Sequence, residues 1–330
     1  MNLANLKSLY FGGGTPSILT PAEIMMLTDE VLKYFHFDPD IEITLEANPD
    51  DLNKDFLSGL SKTVVNRLSI GTQSFHDEDL KLMNRIHSGA EAEDSIKRAQ
   101  DHGFHNISLD LIYGSPVSDF EVWKNNLRKA VALEVPHISS YALTVEPKTA
   151  LNSWIKTKKV PSPKDEEQRK EFHYMSDFLK DNGFIHYEIS NFAKPGFYSR
   201  HNTAYWNNEP YLGIGPSAHS YNGRDKRSWN VANNTLYIKS LADNKLSSET
   251  EILSEKDRYN ESIMTGLRTA SGVNIARLEE SFSSEILDHF EKELTKGLQS
   301  GVLKTTENHL IIPEENWFLA DGIASDLFIL

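Results

Sequence analysis

The chain has 330 residues, 39% hydrophobic and 25% charged, with a net charge of −14 and no cysteine. This is enough apolar material for a buried core in roughly two domains, and the acidic balance opposes a nucleic-acid partner. The lack of cysteine excludes disulfides, thiolate catalysis, cysteine-bound zinc and any iron–sulfur cluster held by these residues alone. No run approaches the ~18 apolar residues of a membrane span, and no basic-then-apolar secretion signal opens the sequence. A cytoplasmic protein without a membrane-spanning segment is expected.

Strand-like and helix-like runs alternate from the start. Leu6 to Phe11 reads as a strand, then Pro21 to Tyr34 as a helix with Thr20 as its N-cap. Ile41 to Glu46 alternates at period two, Asn53 to Leu60 is helical, and Arg67 to Ile70 is a short apolar strand. Ala90 to His102 is a helix stopped by Gly103, with His102 and His105 at its terminus, and His105 to Ile112 resumes a strand. Helix Phe120 to Leu133, strand His137 to Leu143, helix Glu166 to Lys180 and strand Ile185 to Ile189 complete the series. The order predicts parallel strands with crossover helices, and an incomplete β/α barrel rather than a doubly wound sheet.

Thr144 to Pro163 reads as a polar loop or lid, and Lys164 to Glu167 as the solvated start of a charged helix. Tyr187 to Tyr211 is rich in aromatics without periodicity, which suggests a pocket wall. Past Ser247 the pattern turns helical, with helices Glu255 to Leu267 and Glu285 to Leu298, a hairpin near Leu303 and Leu310 to Ile312, and a last helix near Trp317 to Leu327. These predict two domains, 1–246 and 247–330, the second of winged-helix type.

Polar or glycine residues collect just past the strand ends: Gly12 to Thr15, Glu46 to Asn48, Gly71 to Gln73, Asp110, Ala142 and Glu188. In a β/α barrel that rim carries the chemistry. Gly12-Gly13-Gly14-Thr15-Pro16 offers bare backbone amides to an anionic or zwitterionic ligand, or else forms a tight turn. Glu46, Arg85 and Asp110, with Gln73, suit an amino acid and a ribose, or are surface and capping charges. Asp110 interrupts an apolar strand, where burial is costly unless it is paired. His201-Asn202-Thr203-Ala204-Tyr205-Trp206 places an imidazole, the strong iron ligand open to a cysteine-free chain, beside aromatics that suit a macrocycle; the alternative is a packed histidine. Gly213 to Ser220 reads as a closing loop or a plain turn. Serine-hydrolase elbows, zinc-protease helices and phosphate-binding P-loops are absent from the sequence.

Tyr10 to Ser17, Leu45 to Pro49, Ser69 to Phe75, Asn84 to His87 and Asp110 to Pro116, in that order, resemble the radical S-adenosylmethionine superfamily. Within it they resemble the family of oxygen-independent coproporphyrinogen III oxidase and the HemW heme chaperones. The resemblance spans essentially the whole chain and implies a radical S-adenosylmethionine barrel of (β/α)6 type, here lacking its first strand. It implies that Gly13, Gly14, Thr15, Glu46, Gln73, Arg85, Asp110 and Ala142 contact S-adenosylmethionine. His201-Asn202-x-x-Tyr205-Trp206 looks like the heme-binding signature of the chaperone branch, with His201 as the ligand of the heme iron. Membrane respiratory proteins are then the implied heme acceptors.

One departure is large. The family holds a [4Fe–4S] cluster on a Cys-x-x-x-Cys-x-x-Cys loop upstream of the triple glycine, and no such loop stands in this sequence. An N-terminally shortened form is therefore expected, unable to bind the cluster or cleave S-adenosylmethionine, with an open edge on its first strand that favours dimerisation. The competing readings are a coproporphyrinogen III dehydrogenase and a barrel hydrolase or lyase using Glu46 and Asp110 as acid and base.

Overall fold

The computed structural model describes residues 4–330. The chain divides into two compact units, Met1–His201 and Asn202–Leu330. In the first, β1 (Ala4–Phe11), α1 (Pro21–Leu32), β2 (Phe35–Ala47), α2 (Lys54–Leu60), β3 (Arg67–Gln73), α3 (Asp77–Leu82), α4 (Gly89–Asp101) and β4 (Ile107–Tyr113) follow in order. They are succeeded by α5 (Phe120–Ala132), β5 (His137–Ala142), α6 (Ala150–Lys156), α7 (Asp165–Asp181), β6 (Ile185–Glu188) and β7 (Asn191–Ala193).

Helix starts obey local chemistry. Thr20 and Ser88 each form a reciprocal capping box, with Glu23 and Glu91, at the heads of α1 and α4. Asn53 and Asp119 accept from backbone N–H groups at the starts of α2 and α5. Gly103 at φ +90° follows α4, a conformation that glycine adopts without strain.

The seven strands form one sheet in the order β1-β2-β3-β4-β5-β7-β6. β1 to β5 are parallel, as the strand–helix alternation predicts. β7 corrects that series: it lies antiparallel between β5 and β6. Only Ile189 and Ser190 separate β6 from β7, and so short a connection joins antiparallel strands alone. Among the described residues β1 and β6 are the edges, so the sheet is a half-barrel rather than a closed one. Helices cover its apolar face, where Ile24, Leu57, Ile96, Leu127 and Leu179 are fully buried. From α7, Glu171 accepts the Gly114 N–H at 2.6 Å and Gln168 donates to the Leu143 carbonyl at 3.0 Å, fixing the loops after β4 and β5.

Two stretches read as irregular contain regular structure. The expected loop Thr144 to Pro163 holds α6, capped by Thr149 and without a buried residue, so no core-facing periodicity marked it. The aromatic run Tyr187 to Tyr211 holds the end of β6, β7 and a further helix, α8 (Arg200–Trp206), each too short to display a period. The division between the units falls inside α8. Its N-terminus is anchored in the first unit by the buried Glu42 of β2, which accepts from Arg200 N at 3.0 Å and His201 N at 3.1 Å. A carboxylate there meets peptide donors that the helix itself cannot satisfy.

In the second unit come β8 (His219–Tyr221), β9 (Lys226–Asn230), α9 (Asn234–Ala242), β10 (Ser248–Ile252), α10 (Glu255–Leu267), β11 (Val273–Asn274) and α11 (Ile275–Ser281). They are followed by α12 (Ser284–Ser300), β12 (Lys304–Thr306), β13 (His309–Ile311) and α13 (Ala320–Ser325). β8, β9 and β10 form a small antiparallel sheet, and the exposed strand β10 precedes α10, the helix expected at Glu255 to Leu267. From α10 onward the order is helix, strand, two helices and a hairpin, with β11, β13 and β12 in one sheet, the winged-helix arrangement expected from the sequence. Gly213 to Ser220 is a turn leading into β8; a Cβ on Gly213 would lie 2.1 Å from the His219 carbonyl oxygen.

Glu42→Ala is expected to lower stability by about 1–3 kcal/mol, the cost of leaving buried donors unmet, and Glu42→Gln by less; chemical denaturation measures both. Burial pushes the Glu171 carboxyl up to about 7 from 4.5, outweighing the Gly114 N–H that favours the charged form. The folded state therefore holds the extra proton between pH 4.5 and about 7, and stability falls as pH rises through that window. Thermal midpoints of Glu171→Gln across those pH values should decline less steeply than those of the parent.

Candidate ligand-binding site

The parallel strands carry two chemically distinct faces. In register, Leu9 pairs with Ile43, Leu45 with Leu68, Leu68 with Ile107 and Leu109 with Ile138, giving the apolar face under the helices. On the alternate positions Ser8 pairs with Glu42, Glu46 with Ser69, Ser69 with Ser108, Ser108 with His137 and Asp110 with Ser139. Parallel sheets ordinarily read as apolar on both sides, so a polar face points to a ligand.

At the carboxyl ends of β1 to β4 that face opens into a cavity of about 220 Å³. It is lined by Gly14, Thr15, Pro16, Ser17, Glu46, Ala47, Asn48, Ser69, Gly71, Gln73, Arg85 and Asp110. Six residues singled out in the sequence as ligand contacts thus converge: Gly14, Thr15, Glu46, Gln73, Arg85 and Asp110.

The triple glycine has a specific cause at each position. A Cβ on Gly12 would lie 2.5 Å from Tyr10 Cε1 and 3.1 Å from Glu46 Oε1, so the bare α-carbon admits the tyrosine ring. Gly13 and Gly14 adopt φ of +83° and +68°, which side chains disfavour. The Gly13 N–H donates to Glu46 Oε2 at 3.0 Å. Tyr10 Oη donates to the other carboxylate oxygen, Oε1, at 2.8 Å.

Asp110 accepts from Ser69 Oγ at 3.2 Å. Burial pushes its carboxyl up to about 7 and Glu46 adds to the rise, while Ser69, Arg67 and Arg85 oppose it. The half-buried Arg85 donates to Asn48 Oδ1 at 3.3 Å. Gln73, at φ +65°, sits in a conformation rare for a side-chain-bearing residue. The chain beyond it is clamped by buried Asn126 of α5, which accepts from Phe75 N at 3.0 Å and donates to Ser74 Oγ at 2.9 Å. Carboxylates, a guanidinium and amides around one cavity can meet the ammonium, carboxylate and hydroxyl groups of a zwitterionic ligand.

His201 is mounted on β1. Its Nδ1 lies 3.1 Å from Ser8 Oγ, and its ring stacks on Tyr10 with centroids 4.5 Å apart and planes 19° from parallel. Burial lowers its pKa, with Glu42 opposing, so the neutral imidazole is favoured. In the second unit Tyr205 packs edge-on against Tyr211 at 4.7 Å, and Trp206 lies under the Arg268 guanidinium at 5.3 Å. The Trp206 indole N–H is buried without a hydrogen-bond acceptor among the described residues.

Ala142 is not brought to the cavity. On β5 the polar face takes His137, Ser139 and Tyr141, and alternation turns Ala142, in register with Tyr113, to the helix side. Sequence reading missed Ser8, Ser17, Glu42 and Ser69; for Glu42 and Ser69 the signal was period-two spacing from Glu46 and from the strand partners of Asp110. Among the described residues no group of three or more histidine, cysteine, aspartate or glutamate side chains is arranged to hold a metal ion. No described helix is long and apolar enough to cross a membrane.

Residues 2–139 match the radical SAM superfamily and residues 253–319 the HemN C-terminal domain. The heme chaperone HemW of Lactococcus lactis is 32% identical over 321 residues, covering 97% of this chain and 84% of that protein. HemW of Bacillus subtilis gives the same 32%, 97% and 84%, and HemW of Escherichia coli is 38% identical over 65% of this chain and 56% of its own. In fold the chain is similar to the coproporphyrinogen III oxidase HemN of Escherichia coli, with a TM-score of 0.82 at 24% identity over 98% of this chain and 78% of that one. The polar-faced half-barrel, the winged-helix arrangement and near full-length similarity to these chaperones converge: the chain belongs to the HemW heme chaperone family of the radical SAM superfamily.

Proposed function

We propose that this chain binds heme through α8, with His201 as a ligand of the heme iron, and holds S-adenosylmethionine in the cavity, acting as a carrier that hands heme to membrane respiratory proteins. The observation that carries the heme reading is the mounting of His201. A metal-binding imidazole is neutral and has its second nitrogen oriented by a hydrogen bond. Here burial favours the neutral ring, and Ser8 engages Nδ1. The sequence that follows His201 carries Tyr205 and Trp206, aromatic side chains of the kind that suit a porphyrin.

S-adenosylmethionine fits the donor set of the cavity. Glu46 and Asp110 suit its ammonium and ribose hydroxyls, Arg85 its carboxylate, and Gln73, Thr15 and Gly14 its remaining polar edges. Its alkyl–sulfonium group supplies the reactive bond in the chemistry of this superfamily. The [4Fe–4S] cluster that initiates that chemistry does not fit the residues present, because the chain offers no thiolate. No radical step is assigned to these residues.

Hemin titration into the protein is expected to produce a shifted Soret band, and His201→Ala should weaken binding by about tenfold or more, the loss of one strong ligand interaction. An identical spectrum and affinity in the variant would remove the iron from His201. By calorimetry, Glu46→Ala and Asp110→Ala should each weaken S-adenosylmethionine binding by roughly tenfold or more, as expected for a charged hydrogen bond. Unchanged affinity in both would empty the cavity of that ligand.

A further inference from the structure

The cavity and the imidazole share one side chain. The Tyr10 hydroxyl donates to Glu46 Oε1 at 2.8 Å, while its ring lies flat on the His201 imidazole at 4.5 Å. Other contacts hold the neighbouring groups. The backbone of His201 is held separately by Glu42, and the imidazole edge by Ser8. On the cavity side, Gly13 N holds Glu46 Oε2, and a ligand donor that reaches Oε1 shares that oxygen with the Tyr10 hydroxyl. Gly12 keeps the space for the ring: any Cβ there would displace it.

We propose that Tyr10 is a positioning residue that couples the two sites, so that filling the cavity changes how firmly the His201 ring is held for iron. The inference rests on the reading of the cavity and of His201 given above. A ligand ammonium or hydroxyl bound to Glu46 weakens or redirects the Tyr10 hydrogen bond, the ring shifts, and the stacked imidazole shifts with it. Linkage requires the reverse effect: heme on His201 alters affinity in the cavity by the same factor.

The test uses the whole chain, S-adenosylmethionine and hemin. In nitrogen-15 spectra of histidine side chains, adding S-adenosylmethionine should move the His201 ring resonances of the parent protein. Saturating S-adenosylmethionine should also change the hemin dissociation constant by about fivefold or more, within the usual range of site-to-site coupling, and hemin should change S-adenosylmethionine affinity equally. Tyr10→Phe keeps the stacked ring and removes the hydroxyl; it should bind both ligands, with the His201 response lost and the coupling factor near one. Gly12→Ala retains the hydroxyl but pushes the ring from Glu46, and should uncouple the sites in the same way. If S-adenosylmethionine does not bind the parent protein, the reading of the cavity falls and the inference with it. If both ligands bind and His201 does not respond, or Tyr10→Phe and Gly12→Ala remain coupled, the inference alone is overturned.

Discussion

Charged side chains on the inner face of a parallel sheet lose much of their water and must be met by other polar groups. The first unit is organised around that requirement. Buried Arg67 donates to Asn106 Oδ1 at 2.7 Å, and His137 lies 2.8 Å from Ser108 Oγ and 2.7 Å from Tyr187 Oη. Burial holds His137 well below its usual pKa, so it serves there as a neutral hydrogen-bonding group. The partners come from β4 (Ser108), from the residue just before it (Asn106) and from β6 (Tyr187), and the strands cannot slide past one another without breaking several such contacts. The same demand leaves the upper part of the face, around Glu46 and Asp110, with polar capacity directed into the cavity.

β2 shows how one strand serves two purposes. Glu42 and Glu46 are four residues apart and, by alternation, on the same face. The lower carboxylate receives the first peptide donors of α8; the upper one receives Tyr10 and Gly13. β1 answers with Ser8 and Tyr10, two residues apart, both against His201. The helix bearing the His-Asn-x-x-Tyr-Trp segment is thus anchored, at its beginning, on the same pair of strands that builds the cavity wall.

Much of this was legible in the sequence because it follows local rules. Thr20 and Asn53 marked helix starts, Gly103 a helix end, and period-two alternation in Ile41 to Glu46 and short apolar runs elsewhere the first five strands. Asp110 announced itself as a charge in an apolar strand. The losses have equally local causes. β7 spans only Asn191–Ala193, too few residues for alternation to register, and α6 buries nothing, so its polar sequence read as loop. The meaning of Gly12 was hidden because the crowding that requires it comes from Tyr10 and from Glu46, whose approach depends on strand pairing. Glu42 looked like one more charge in an alternating strand; its role depends on α8, far along the chain.

Asn126 gives the lip of the cavity a further property. By clamping Ser74 and Phe75 from α5, it holds Gln73 in its unusual backbone conformation before any ligand arrives. The conformational freedom of that loop is surrendered when the chain folds, and an incoming molecule finds the lip preorganised, with little left to order on binding. The shape of the cavity mouth is therefore a property of the outer helical layer as much as of the loop, and variation in α5 can retune ligand selectivity without altering a residue that touches the ligand.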